Sequence, residues 1–130
     1  MRWMLWWCWR TRVNQDSHFP ESRVESLIYR YRDLGHLMVC MDPLSSCPTD
    51  HPLLNLGAFG LSSKQLDTLF YTRIFSDAGQ ARLRDILSRL KETYCRSIGV
   101  EYMHLQDPAE KRWLQERMEP VKNRPVLTDK

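Results

Sequence analysis

The chain has 130 residues, enough for one domain with a single modest core, and its 42% hydrophobic and 27% charged residues are ordinary for a soluble globular protein. The net charge of +3 is not a nucleic-acid signature, because Arg2, Arg10 and Arg12 precede the first acidic residue, Asp16, and the remainder balances 16 basic against 16 acidic side chains. No stretch approaches the roughly 20 apolar residues of a membrane-spanning helix.

In chain order, residues 1–19 form a leader, "MRWMLWWCWR" followed by polar "TRVNQDSH", that carries Trp3, Trp6, Trp7 and Trp9. The apolar run is short and lacks a small-residue cleavage site, so it is not a secretory signal. Two readings stay open, an interfacial anchor of tryptophans and an unstructured terminus. The second is the expectation, since so short a helix is marginal in water. The four cysteines, Cys8, Cys40, Cys47 and Cys95, contain no C-x-x-C pair and are expected as free thiols in a reducing, cytoplasmic compartment.

Near Pro20 the pattern becomes helical. Val24, Leu27, Ile28, Tyr31, Leu34 and Met38 recur at steps of three and four. Ser22 and Glu25 have capping-box spacing, and Pro20 suits a first turn. Arg23, Arg30, Arg32 and Asp33 are expected on or near the wet side. Gly35 weakens the helix late, and Asp42-Pro43 should stop it. The segment "PLSSCPTDHPLLNLGAFG" (43–60) reads as an extended connector pinned by Leu53, Leu54, Leu56 and Phe59.

A short helix is expected next, capped by Ser62 with Gln65 three residues on, and burying Leu66, Leu69 and Phe70. Then "AGQARLRDILSRLKETYC" (78–95) aligns Leu83, Ile86, Leu87, Leu90 and Tyr94 on one stripe. Gly99 should break that helix and leave residues 100–105 as an extended run. Asp107 as cap, Pro108 at the first helical position and Glu110 at the third predict a final helix that buries Trp113, Leu114 and Met118 and ends at Pro120. At the chain's end, Thr128-Asp129 has the look of another helix cap with no helix after it.

Three constellations invite a chemical reading. His36, Cys40, Cys47 and His51, spaced H-x3-C-x6-C-x3-H, are plausible zinc ligands, with buried thiols and a capping or turn histidine as the alternative. Cys95 falls at a helix C-terminus, where the dipole disfavours a thiolate. Glu101 and His104, in "GVEYMHLQDP" (99–108), suggest a shared proton-transfer site. Strand alternation, however, sets Glu101 and Met103 on one face, Tyr102 and His104 on the other, and structural use is expected. No nucleophile elbow, phosphate-cradling glycine loop or H-E-x-x-H occurs.

"YRDLGHLMVCMDPL" (31–44), "LGAFGLSSKQLDTLFY" (56–71) and "LRDILSRLKETYCRSIGVEYMHLQDPAEKRWLQERME" (83–119) resemble consecutive N-terminal segments of 2-oxoglutarate dehydrogenase, the thiamine-diphosphate-dependent decarboxylating component of its complex. The resemblance runs from about Val24 to about Pro125. Arg96 departs from the glycine common in the family, and Cys40 and Cys47 lie outside its pattern. The resemblance implies thiamine diphosphate and magnesium for the intact enzyme, a homodimer, and a lipoyl-bearing succinyltransferase as partner.

The Gly-Asp-Gly stretch that would hold the diphosphate is absent, and the family's active-site histidines fall beyond Lys130. No catalytic, cofactor-binding or metal residue is therefore assigned to this chain. The expectation is a mainly α fold of about four helices with one short extended segment, preceding the cofactor-binding domains. It divides into the leader (1–19), a helical region (20–119) and an extended tail (120–130). Such a piece should be inactive alone, cytoplasmic, without nucleic-acid or membrane partners, and should expose apolar surface. The alternatives are a stand-alone helical interaction module and a small metal protein.

Overall fold

The computed structural model describes residues 20–72 and 79–127. The leader and the Thr128-Asp129 cap lie outside them. Helix α1 spans Pro20–Leu34 and buries Val24, Leu27, Ile28 and Tyr31, the stripe expected from their spacing. Proline occupies its first turn, but Ser22 is already helical, its carbonyl accepting the Ser26 hydroxyl at 2.8 Å, so it is not the cap. The α-helix also ends at Leu34, well before Asp42-Pro43, and a 3-10 turn covers Gly35–Met38. The reason is packing. A Cβ on Gly35 would lie 2.7 Å from the Cβ of Tyr94, so the chain tightens where a second helix presses on it.

The connector is a string of 3-10 turns, Pro52–Leu54, Leu56–Phe59 and Ser63–Gln65. Leu54 is buried and Leu56 and Phe59 pack against the core, whereas Leu53 is half exposed. Gly60 closes the second turn at φ 65°, a conformation natural to glycine, and its carbonyl accepts from Arg23 Nη1 at 2.8 Å. The Ser62–Gln65 capping box forms as expected but starts only a single 3-10 turn, not a helix. Strand β1 (Leu69–Tyr71) follows and pairs antiparallel with β2 (Gln80–Arg82), in the register Leu69–Arg82, Phe70–Ala81, Tyr71–Gln80. Period-two geometry takes over there, so Phe70 is buried while Leu69 and Tyr71 face outward, correcting the inward placement of Leu69.

Helix α2 spans Leu83–Tyr94 and buries Leu83, Ile86, Leu90 and Tyr94 against α1, with Leu87 half-buried. It begins at Leu83, the first residue of its stripe, directly after β2. It stops at Tyr94, five residues before Gly99, with the Cys95 amide bonded to Lys91 O. Helix α3 spans Pro108–Met118, capped by Asp107 Oδ1, which accepts from the Ala109 amide at 2.8 Å. Leu114 and Met118 pack on the core, but Trp113 is 54% exposed, with the Arg117 guanidinium 4.3 Å over its ring. Beyond α3 the chain turns rather than extends at once. Lys122 and Asn123 adopt φ 52° and 54°, and the Asn123 amide reaches back to Met118 O at 2.8 Å. The described residues thus hold three α-helices and a two-stranded sheet, not four helices.

Candidate functional site

Residues 99–108 do not assemble a proton-transfer pair. Val100 and Glu101 form no strand, and the chain turns at 102–105, closed by Leu105 N–H on Tyr102 O at 3.1 Å. Alternation therefore fails at His104, which is exposed like Glu101, while Tyr102 is buried. Asp107 is occupied as the cap of α3.

The H-x3-C-x6-C-x3-H constellation is not a metal centre. Cys40 and Cys47 are joined as a disulfide, which corrects the expectation of free thiols for that pair and removes both sulfurs as metal ligands. His51 acts as a cap, its Nδ1 accepting from the Leu53 amide at 3.3 Å. His36 Nδ1 is buried with no hydrogen-bond partner among the described residues. Among those residues, no three His, Cys, Asp or Glu side chains gather where they could hold an ion. Cys95 remains a free thiol at the C-cap of α2. Burial pushes its pKa up to about 11 against the pull of Lys91, so it is a poor nucleophile at neutral pH.

The best-organised polar cluster was not singled out by the sequence. Arg32, expected on the wet side, is 5% exposed and grips Glu119, itself 6% exposed, with Nε on Oε1 at 2.7 Å and Nη2 on Oε2 at 2.9 Å. Tyr94 donates to Glu119 Oε1 at 2.6 Å, and its hydroxyl lies 3.2 Å from that of Tyr102, the two rings stacking at 6.4 Å. Desolvation, then the Glu119 carboxylate, raises the Tyr94 pKa; desolvation chiefly raises that of Tyr102. Both phenols stay neutral. One signal was available: Val24, Ile28 and Arg32 are four apart, so Arg32 borders the buried stripe.

This cluster ties α1, α2, the 99–105 segment and the end of α3 together, with every charge paired. A separate recess of about 280 Å³ lies beneath the connector, where Tyr31, Met38, Asp50, His51, Lys91 and Cys95 contribute to its wall. Tyr31 there is pushed up to about 12, mainly by burial. The recess does not fit thiamine diphosphate with magnesium. Lys91 is the one lysine or arginine on its wall to meet a diphosphate, and Asp50, the one carboxylate, already accepts from Asn55 Nδ2 at 3.3 Å.

No family model matches the chain. Among curated proteins it is 40% identical over 122 residues to the multifunctional 2-oxoglutarate metabolism enzymes of Mycobacterium sp. strains JLS and KMS. It is 39% identical over 124 residues to the enzyme of that name from Mycolicibacterium vanbaalenii. The aligned region is 92–93% of this chain and 10% of each relative, so the chain spans about a tenth of their length. It is homologous over nearly its whole described extent to one segment of these proteins. Arg96 introduces no strain in that segment, because it is not among the residues with positive φ.

Proposed function

We propose, from its homology to one tenth of the multifunctional 2-oxoglutarate metabolism enzymes, that this chain is the helical N-terminal region of a 2-oxoglutarate dehydrogenase, and that its role is scaffolding rather than chemistry. The whole enzyme would be a thiamine-diphosphate- and magnesium-dependent, homodimeric oxidoreductase of the tricarboxylic acid cycle. It would decarboxylate 2-oxoglutarate and pass the succinyl group to a lipoyl-bearing succinyltransferase. Bound thiamine diphosphate supplies the carbanion-stabilising chemistry for such a reaction. No residue described here is suited to hold it, and no step is assigned to this chain. A cytoplasmic site of action follows from that family reading, not from the cysteines, two of which are paired.

The observation that carries the proposal is the 40% identity over 122 residues, joined to a buried cluster in which Arg32 and Tyr94 both bond to Glu119. Purified chain supplied with thiamine diphosphate, magnesium and 2-oxoglutarate should release no carbon dioxide above a protein-free control. Turnover would overturn the scaffold reading. The alternative, a stand-alone interaction module, separates by intact-mass measurement on the native cellular protein. A mass several times 15.5 kDa supports the enzyme region, and 15.5 kDa itself supports the module.

A further inference from the structure

The C-terminal end of α2 and the turn after α3 meet in a small recess walled by Glu92, Thr93, Arg96, Ser97, Lys122, Asn123 and Arg124 among others. Its charged lining is three cations to one carboxylate, on a chain whose body is otherwise balanced. The single carboxylate is already engaged: Glu92 accepts from Lys122 Nζ at 2.8 Å and from the Ser88 hydroxyl at 3.0 Å. Those bonds, with the Lys122 and Arg96 charges, hold its carboxyl below the usual range. Neither Arg96 nor Arg124 has an ion-pair partner among the described residues.

The backbone donors here are also spent. The amides of Lys122, Asn123 and Arg124 bond to Glu119 O, Met118 O and Val121 O. What is left over is side-chain donor capacity. Asn123 Nδ2 is buried with no partner among the described residues, an arrangement that costs free energy unless a ligand accepts from it. Among the described residues, Lys122 and Asn123 are moreover the non-glycine residues held at positive φ, a conformation that persists where surrounding structure demands it.

We propose that this recess binds a phosphate dianion or the phosphoryl end of a phosphomonoester, with Arg96, Arg124 and Asn123 Nδ2 as donors and Lys122 shared with Glu92. A guanidinium pair and an amide match the oxygen-rich, doubly charged face of a phosphoryl group, and the cations must also outweigh the negative dipole ends of α2 and α3 beside it. The recess, about 30 Å³, admits the oxygens of such a group but no organic ring, so any remainder of a phosphomonoester would project outward. The site stands independently of the proposed enzymatic role.

The test is titration of the purified 130-residue chain with inorganic phosphate, and separately with phenyl phosphate, at constant ionic strength set with chloride. Saturable binding is expected with a Kd of about 1 mM or tighter. Equal affinities identify a reader of the dianion itself, whereas tighter phenyl phosphate identifies an organic phosphomonoester. Arg96→Gln and Arg124→Gln should each weaken binding about tenfold or more. Asn123→Gly keeps the backbone conformation, since glycine accepts positive φ, and so should fold normally yet bind several-fold more weakly. Absence of saturable binding, or wild-type affinity in a correctly folded Arg96→Gln and Asn123→Gly, would overturn the site.

Discussion

The Arg32–Glu119 fork is a buried ion pair that joins residues 87 positions apart. A charge that is removed from water is tolerated only while its partner stays in place. Arg32→Met or Glu119→Leu alone leaves the other ion buried without compensation, and each should lower unfolding free energy by about 3–5 kcal/mol in urea titrations. The double variant should recover most of that loss, because it buries no charge at all. A double variant as unstable as the singles would show that the ion pair does more than neutralise itself. A milder change, Tyr94→Phe, removes one donor from Glu119 Oε1 and should cost about 1–2 kcal/mol. Titration gives a second handle on the same core. Cys95 and Tyr31 have pKa values raised from 9 and 10 to about 11 and 12 by burial. The unfolded chain therefore releases these protons at lower pH than the folded one does. Stability should be unaffected by these groups below about pH 9 and fall as pH rises toward 11 and 12, as melting curves across that range would register. Tyr94 and Tyr102 act in the same direction.

Among the elements, those whose apolar spacing and caps agree were legible in the sequence. The stripes of α1 and α2 and the Asp107-Pro108 start of α3 all came out as their local chemistry dictates. What was not legible came from contacts across the chain. The early end of α1 depends on Tyr94 pressing against Gly35, a residue 59 positions away. The β1–β2 pairing converts an expected helix face at Leu69 into an exposed strand position. Arg32 became a core residue because Glu119 arrives from 87 positions further along. The cap and the close approach are both testable. Asp107→Ala removes the acceptor for the Ala109 amide and should cost about 1 kcal/mol. Gly35→Ala improves helix propensity locally yet forces a Cβ into the Tyr94 side chain. The variant should be destabilised by about 1–3 kcal/mol in chemical denaturation, and a stabilised one would show that Tyr94 does not crowd this position.

For the molecule as a whole, the contrast among the described residues is between a closed core and an open apolar face on α3. The buried residues of α1, α2 and β1 close around Tyr94 and Phe70, joined by Leu54, Leu61 and Tyr102. Helix α3 is different: it contributes no fully buried residue, and Leu105, Ala109, Trp113 and Leu114 line an open, almost wholly apolar groove of about 450 Å³. A groove of that kind on a region homologous to one tenth of a far longer protein is expected to be covered by other parts of that protein. Separated from them, the chain should associate with itself in a concentration-dependent way, visible by analytical ultracentrifugation. Leu105→Gln and Leu114→Gln, in the groove's wall, should shift the sedimentation profile toward monomer. Trp113→Gln should do so too, while changing stability by no more than about 0.5 kcal/mol, because its side chain is more than half in water already. If the wild-type chain is monomeric at every concentration and binds no apolar dye, the α3 groove is a finished surface, and the case for this chain as one region of a larger enzyme loses its structural support.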